Sequence, residues 1–210
     1  MGKTKMLKEL ISTRIVPVIT FQSMSEVEPV ASALKEAGMN ILEITLRTPV
    51  GMEAAKLLAQ DKNLIVGVGS VVKEIELEVA KGHGIQFAVS PGTHPKLMKK
   101  SLSINLQYFP GIASASEIME CIDNGFSTLK FFPAEVLGGV NALKAISSPF
   151  PSLKFIPTGG LVASNFKSYL DCENVLAVGG SWMVTRELIE QQSFAAITVL
   201  AKSAICEVAV

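Results

Sequence analysis

The chain has 210 residues, of which 49% are hydrophobic and 18% charged, with nineteen basic residues balancing nineteen acidic ones. This composition excludes a disordered chain and leaves no surplus charge for gripping nucleic acid or an anionic membrane. The three cysteines, Cys121, Cys172 and Cys206, are too few and too scattered for a disulfide framework and read as reduced thiols of a cytoplasmic protein.

The N-terminal segment MGKTKMLKELISTR mixes Lys and Glu through its apolar residues, so it lacks a signal-peptide core. Residues 4–12 read as a helix ahead of the first strand. After them one rhythm repeats: a short β-branched run, a helical pattern, a Gly or Asn, and the next run. The runs are IVPVIT (15–20), ILEITLR (41–47), LIVGVGSV (64–71), IQFAVSPG (85–92), LQYFPGI (106–112), TLKFFPA (128–134), LKFIPTGG (153–160) and VLAVGGSW (175–182). All are shorter than the ~20 residues a membrane helix needs. Among the helical patterns, SEVEPVASALKEAG starts at Ser25 and stops at Gly38, and KEIELEVAKGHG stops at Gly82 and Gly84. SASEIMECIDNG places Glu117 three residues after Ser114, a capping box, and stops at Gly125. Residues 193–208 close the chain as a helix. His83 and His94 stand in turn-like contexts without a Cys or carboxylate at ligand spacing, so no metal site is expected.

Strands alternating with helices imply parallel pairing. Eight such units predict an α/β chain, a (β/α)8 TIM barrel with an extra N-terminal helix, spanning 1–210 as a single domain. An open doubly wound sheet is the main alternative. Its mark, GxGxxG after the first strand, is missing: IVPVITFQS has no glycine, and GVGSVV carries half the pattern.

In a barrel the site lies at the C-terminal ends of the strands. Alternate strand residues face opposite sides. In ILEITLR, Leu42, Ile44 and Leu46 share one face, and Glu43, Thr45 and Arg47 the other. In TLKFFPA, Leu129 and Phe131 share one face, and Thr128, Lys130 and Phe132 the other. The apolar faces belong against the helices, which sends Glu43, Arg47 and Lys130 inward. Buried charges are costly unless they pair or do chemistry. A purely structural Glu–Lys pair is one reading. In the other, Lys130 is a nucleophile kept neutral by burial and a nearby guanidinium. Glu43 then moves protons, directly or through water, and Arg47 offers its fork to a carboxylate. That set fits Schiff-base chemistry on a carboxylated carbonyl compound.

PTGG (157–160) and VGGSW (178–182) end the last two strands, where barrels often bind phosphate. Their glycines either form tight turns or bring backbone N–H groups to an anion, with Ser181 as a further donor. SPGTHP (90–95) and FPGIAS (109–114) shape the mouth or simply turn the chain. Trp182 reads as packing.

These motifs, in this order and spacing, resemble the 2-keto-3-deoxy-6-phosphogluconate (KDPG) aldolase family, which also includes 4-hydroxy-2-oxoglutarate (KHG) and 2-keto-3-deoxy-6-phosphogalactonate aldolases. The resemblance runs from RIVPVI to GGSW and rests on LEITLRT, SPG, PGIAS, LKFFPAE, GGV, PTGG and GGSW. It implies a metal-free, cofactor-free class I aldolase on a (β/α)8 barrel that forms a homotrimer. The implied substrates are a phosphorylated 2-keto-3-deoxy sugar acid and pyruvate. On matching positions, Lys130 is the Schiff-base lysine, Glu43 the proton-transferring carboxylate and Arg47 the pyruvate-carboxylate contact. Pro91 and Phe132 line the pocket, while Gly159, Gly160, Gly179, Gly180 and Ser181 surround the phosphate. Three departures stand out. GVGS replaces the usual GAGT, so that Ser70 stands for a substrate-contacting threonine and Val68, bulkier than alanine, is expected to narrow the barrel. PGIAS replaces PGIST, and EVLGG replaces smaller or polar residues before the glycines. Two rival functions are a phosphosugar isomerase or epimerase with Glu43 as base, and a non-enzymatic sugar-phosphate sensor.

Overall fold

A computed structural model of the protein describes residues 9–208. Nine short strands occur in chain order: β1 (Ile15–Ile19), β2 (Ile41–Thr45), β3 (Ile65–Gly69), β4 (Phe87–Val89), β5 (Gln107–Phe109), β6 (Gly111–Ile112), β7 (Thr128–Phe131), β8 (Lys154–Pro157) and β9 (Val178–Gly180). They are β-branched or aromatic-rich and every pairing between them is parallel. One ribbon runs β5-β4-β3-β2-β1-β9 and a second runs β6-β7-β8. β5 passes into β6 across Pro110, which has no N–H to give the ladder. The predicted run 106–112 is therefore two strands forming one stave. Parallel bridges Phe155↔Val175 and Thr158↔Gly179 join the second ribbon to the segment around β9. The eight predicted runs thereby close into a (β/α)8 barrel.

The helices are α1 (Val27–Glu36), α2 (Gly51–Leu58), α3 (Glu74–Gly82), α4 (Pro95–Ser103), α5 (Ala115–Asp123), α6 (Gly139–Ser147), α7 (Phe166–Leu170), α8 (Arg186–Glu190) and α9 (Phe194–Val208). The α5 capping box forms in part, with Glu117 reaching the N–H one residue before the Ser114 cap. Ser114 Oγ accepts from the Glu117 N–H, and Glu117 Oε2 accepts from the Ala113 N–H at 2.8 Å. Gly38, Gly84 and Gly125 follow α1, α3 and α5 with φ of 90°, 76° and 82°, the left-handed stop that glycine adopts without strain. Gly82 instead ends α3 itself. Ser25 does not cap α1. A 3-10 turn, Met24–Glu26, comes first, Glu26 takes the N-cap, and Ser25 Oγ pairs with Ser23 Oγ at 2.6 Å. Residues 9–13 are helical; positions 4–8 of the predicted N-terminal helix lie outside the described residues.

Strand alternation creates two cores. Leu42, Ile44, Val66, Leu129 and Phe131 pack outward under the helices. Val16, Ile41, Ile65, Phe87, Phe109 and Ile156 fill the barrel interior, where Leu10 joins them from the N-terminal helical turn. Val68 belongs to the outer core. Its extra bulk faces the helices and does not narrow the barrel, because it has the opposite parity to Ile65 and Gly67.

Candidate active site

Lys130 on β7 and Glu43 on β2 point into the barrel from opposite sides. Both residues are 4% exposed. Lys130 Nζ donates to Glu43 Oε1 at 3.3 Å, so the two meet directly, without the intervening water that proton transfer also permits. Burial of two charges is tolerable only because each answers the other. The Phe132 ring adds a face 5.1 Å from Nζ. The space on the N-terminal side of the pair is apolar. A small gap of about 10 Å³ is walled by Leu10, Val16, Phe87, Val89, Phe109 and Ile156, with Glu43, Lys130 and Thr158 at its polar end.

The glycine at position 69 makes room for the carboxylate. A Cβ there would stand 2.0 Å from Glu43 Oε1, far inside contact distance. The next residue, Ser70, has φ 62°, a left-handed conformation uncommon for a residue with a side chain. In that pose its Oγ accepts from Arg47 Nε at 3.0 Å. Arg47 lies just past the end of β2, exposed at the mouth. With Nε engaged by Ser70, the two terminal nitrogens of its fork remain available for a planar anion.

Pro91 stands at the rim on a loop fixed from below. Tyr108 Oη donates to Ser90 Oγ at 2.6 Å, and Ser90 Oγ donates to the Gly92 carbonyl at 2.7 Å. Burial pushes the Tyr108 phenol up to about 12, so it stays a donor. Thr93 Oγ1 donates to the Gly111 carbonyl at 2.8 Å, and Gly111 is the register partner of Lys130. The loop bearing Pro91 is thus tied to the stave beside the lysine.

The two glycine motifs come together through the Thr158↔Gly179 bridge. Gly159 and Gly160 have φ of 101° and 79°, which turns the chain sharply after β8. Gly159 lies against the Phe132 ring, linking this loop to the lysine strand. Gly179 and Gly180 are buried within β9, and Ser181 is exposed just beyond them. Trp182 packs as expected, stacked on Phe166 with ring centroids 5.1 Å apart.

Three threonines also belong to this end of the barrel. Thr158 borders the gap with the pair. Thr20 and Thr45 share a hydroxyl contact of 2.8 Å, one step toward the mouth from Val18 and Glu43. Parity puts Thr45 on the Glu43 face, but threonine is common in strands and carries no charge to single it out. Among the described residues, no three His, Cys, Asp or Glu side chains gather as a metal site.

The arrangement is an amine and a carboxylate in contact within an apolar barrel. A guanidinium stands on one side of the mouth and a glycine-lined turn on the other. The chain that carries it matches known proteins over nearly its whole length. The family model for KDPG and KHG aldolases matches residues 6–200. The 2-dehydro-3-deoxy-phosphogluconate aldolase of Dickeya dadantii (strain 3937) is 41% identical over 204 residues, 97% of this chain and 96% of that protein. The structure of KDPG aldolase from Legionella pneumophila, with pyruvate captured as a covalent carbinolamine intermediate, superimposes with a TM-score of 0.92. It shares 37% identity and covers 96% of this chain and 98% of its own. The KDPG aldolase of Zymomonas mobilis ZM4 with 3-phosphoglycerate gives a TM-score of 0.89 at 37% identity, covering 94% of this chain and 93% of its own. The chain belongs to the KDPG and KHG aldolase family.

Proposed function

We propose that this protein is a class I aldolase that cleaves 2-keto-3-deoxy-6-phosphogluconate to pyruvate and glyceraldehyde 3-phosphate. The observation that carries this reading is the direct contact between buried Lys130 and buried Glu43 at the substrate end of the barrel. Glu43, in contact with Nζ, is placed to take the proton that the amine must lose before it can attack.

The amine then attacks the C2 carbonyl while Arg47, braced by Ser70, holds the C1 carboxylate. Glu43 returns its proton to the carbinolamine hydroxyl, which leaves as water. The resulting iminium accepts the electrons of the C3–C4 bond when Glu43 removes the C4 hydroxyl proton. Glyceraldehyde 3-phosphate departs, the enamine is protonated at C3, and hydrolysis frees pyruvate and Lys130. The Gly159–Gly160 and Gly179–Ser181 segments receive the phosphate through backbone N–H groups, and Pro91 and Phe132 bound the reacting carbons. The reaction as written consumes no metal or cofactor.

The glycine segments favour the phosphorylated substrate over 4-hydroxy-2-oxoglutarate, which has no phosphate. A ratio of kcat/KM for the two substrates tests that choice, and equal values would overturn it. Borohydride reduction in the presence of pyruvate is expected to attach a pyruvate-derived adduct to Lys130, located by peptide mass, and to leave Lys130→Arg unlabelled. Folded wild-type protein without an adduct would sink the mechanism. No helix among the described residues is long and apolar enough to cross a membrane. Cytoplasmic action as one domain is part of the same reading, and the family resemblance adds a homotrimer, which sedimentation would test.

A further inference from the structure

The loop after the lysine strand carries a carboxylate that the reaction does not use. Beyond β7 the chain keeps pairing with the turn after β8: the Ala134 N–H donates to the Thr158 carbonyl at 2.9 Å and the Glu135 N–H to the Gly159 carbonyl at 3.1 Å. Glu135 therefore lies on the glycine turn itself. A Cβ at position 160 would stand 2.6 Å from the Glu135 Cβ, so the Glu135 side-chain stem lies close over the glycine. The Glu135 carboxylate accepts from the Tyr169 hydroxyl at 2.5 Å. Tyr169 sits on α7, the helix that follows the turn, and its ring is buried. Burial and then the Glu135 contact raise its phenol well above the ordinary range, which keeps the proton on the donor. Asn165 holds the same turn from the other side, its Nδ2 donating to the Gly160 carbonyl at 3.3 Å.

The catalytic strand and the glycine turn are thus latched through one side-chain pair anchored in the helix layer. We propose that Glu135 and Tyr169 form a positioning pair that fixes the Gly159–Gly160 turn in the shape that receives the substrate phosphate. This rests on the phosphate reading above. The pair touches neither Lys130 nor Glu43 directly, so its effect falls on binding of the phosphorylated end and spares Schiff-base formation.

The chain's single tryptophan supplies a readout apart from turnover. Trp182 follows Ser181, and its ring lies against Gly180. Inorganic phosphate is titrated against wild type, Tyr169→Phe, Glu135→Ala, Glu135→Gln and the Tyr169→Phe/Glu135→Ala double variant, read by Trp182 fluorescence and by competitive inhibition. Tyr169→Phe and Glu135→Ala are each expected to raise the phosphate dissociation constant and the KM for phosphorylated substrate about tenfold, the size of one lost charge-assisted hydrogen bond. Pyruvate-dependent borohydride trapping should keep its wild-type rate. The double variant should be no worse than either single one, because both remove one interaction. Glu135→Gln keeps an acceptor for Tyr169 and should recover most of the loss. Should Tyr169→Phe fail to fold, the contrast between Ala and Gln at exposed position 135 carries the test.

Trapping slowed in step with the KM change would overturn the pair's specific role, as would KM and phosphate affinity within about twofold of wild type in the variants. Wild type that ignores inorganic phosphate and shows no preference for phosphorylated substrate would instead remove the phosphate reading, and the pair's role with it.

Discussion

Lys130 and Glu43 were legible as inward-facing, buried charges because charges stand out in strands that parallel pairing buries on both faces. Their direct contact was not legible, since parity gives direction but no distance. Gly69 was also missed as a site determinant: nothing in GVGS marks a glycine kept small by a carboxylate from the next strand. Gly69→Ala is expected to keep the fold, displace the Glu43 carboxylate and lower kcat by about 10², the lower range for a misplaced proton-transfer group. Steady-state kinetics beside circular dichroism would check it; unchanged kcat would show that the carboxylate has other room. Ser70 makes the complementary case. Its left-handed backbone is held while its hydroxyl meets Arg47, so the serine at this position supplies a hydroxyl that braces the guanidinium.

Strand identity was plain at the level of elements, because β-branched runs between glycine stops have few other folds. Boundaries were less plain. Pro110 splits one stave for want of an N–H, and a 3-10 turn takes the place that Ser25 suggested for a helix start. Both depend on tertiary pairing that a short window of sequence does not contain. The N-terminal helical turn has a role that its amphipathic pattern did not announce. Leu10 enters the barrel interior and closes the apolar gap on the side away from the mouth. Leu10→Ala should destabilise the fold by about 2–5 kcal/mol, the range for a large-to-small change at a buried leucine. Urea unfolding measures this, and a loss under about 1 kcal/mol would mean that the turn does not seal the floor.

Across the whole molecule, the last strand of the ring, β9, pairs with the first, β1. An ion pair bridges the loops there: Arg186 Nη2 on α8 donates to Glu26 Oε1 ahead of α1 at 2.7 Å. The Arg186 hydrogen bond leads the causes that hold the Glu26 carboxyl below its ordinary 4.5. A depressed carboxyl contributes stability above its unfolded value and loses it as pH falls through the lower, folded one. Acidification below 4.5 should therefore weaken the fold in part through this group, and Glu26→Gln should flatten that part of the stability–pH curve by about 1 kcal/mol or less, given the solvent around Arg186. Parallel curves for the two proteins would remove the pair from the acid response. The Lys130–Glu43 contact joins residues 87 positions apart, contributed by strands from opposite arcs of the ring. Neither strand alone, nor any short run of the chain, contains both members of the pair. During refolding, helices and local pairings can appear before that long-range contact does. The return of pyruvate trapping should consequently lag the recovery of far-ultraviolet ellipticity, so that a partly wound chain carries its lysine as an ordinary amine and becomes reactive only when the ring is complete.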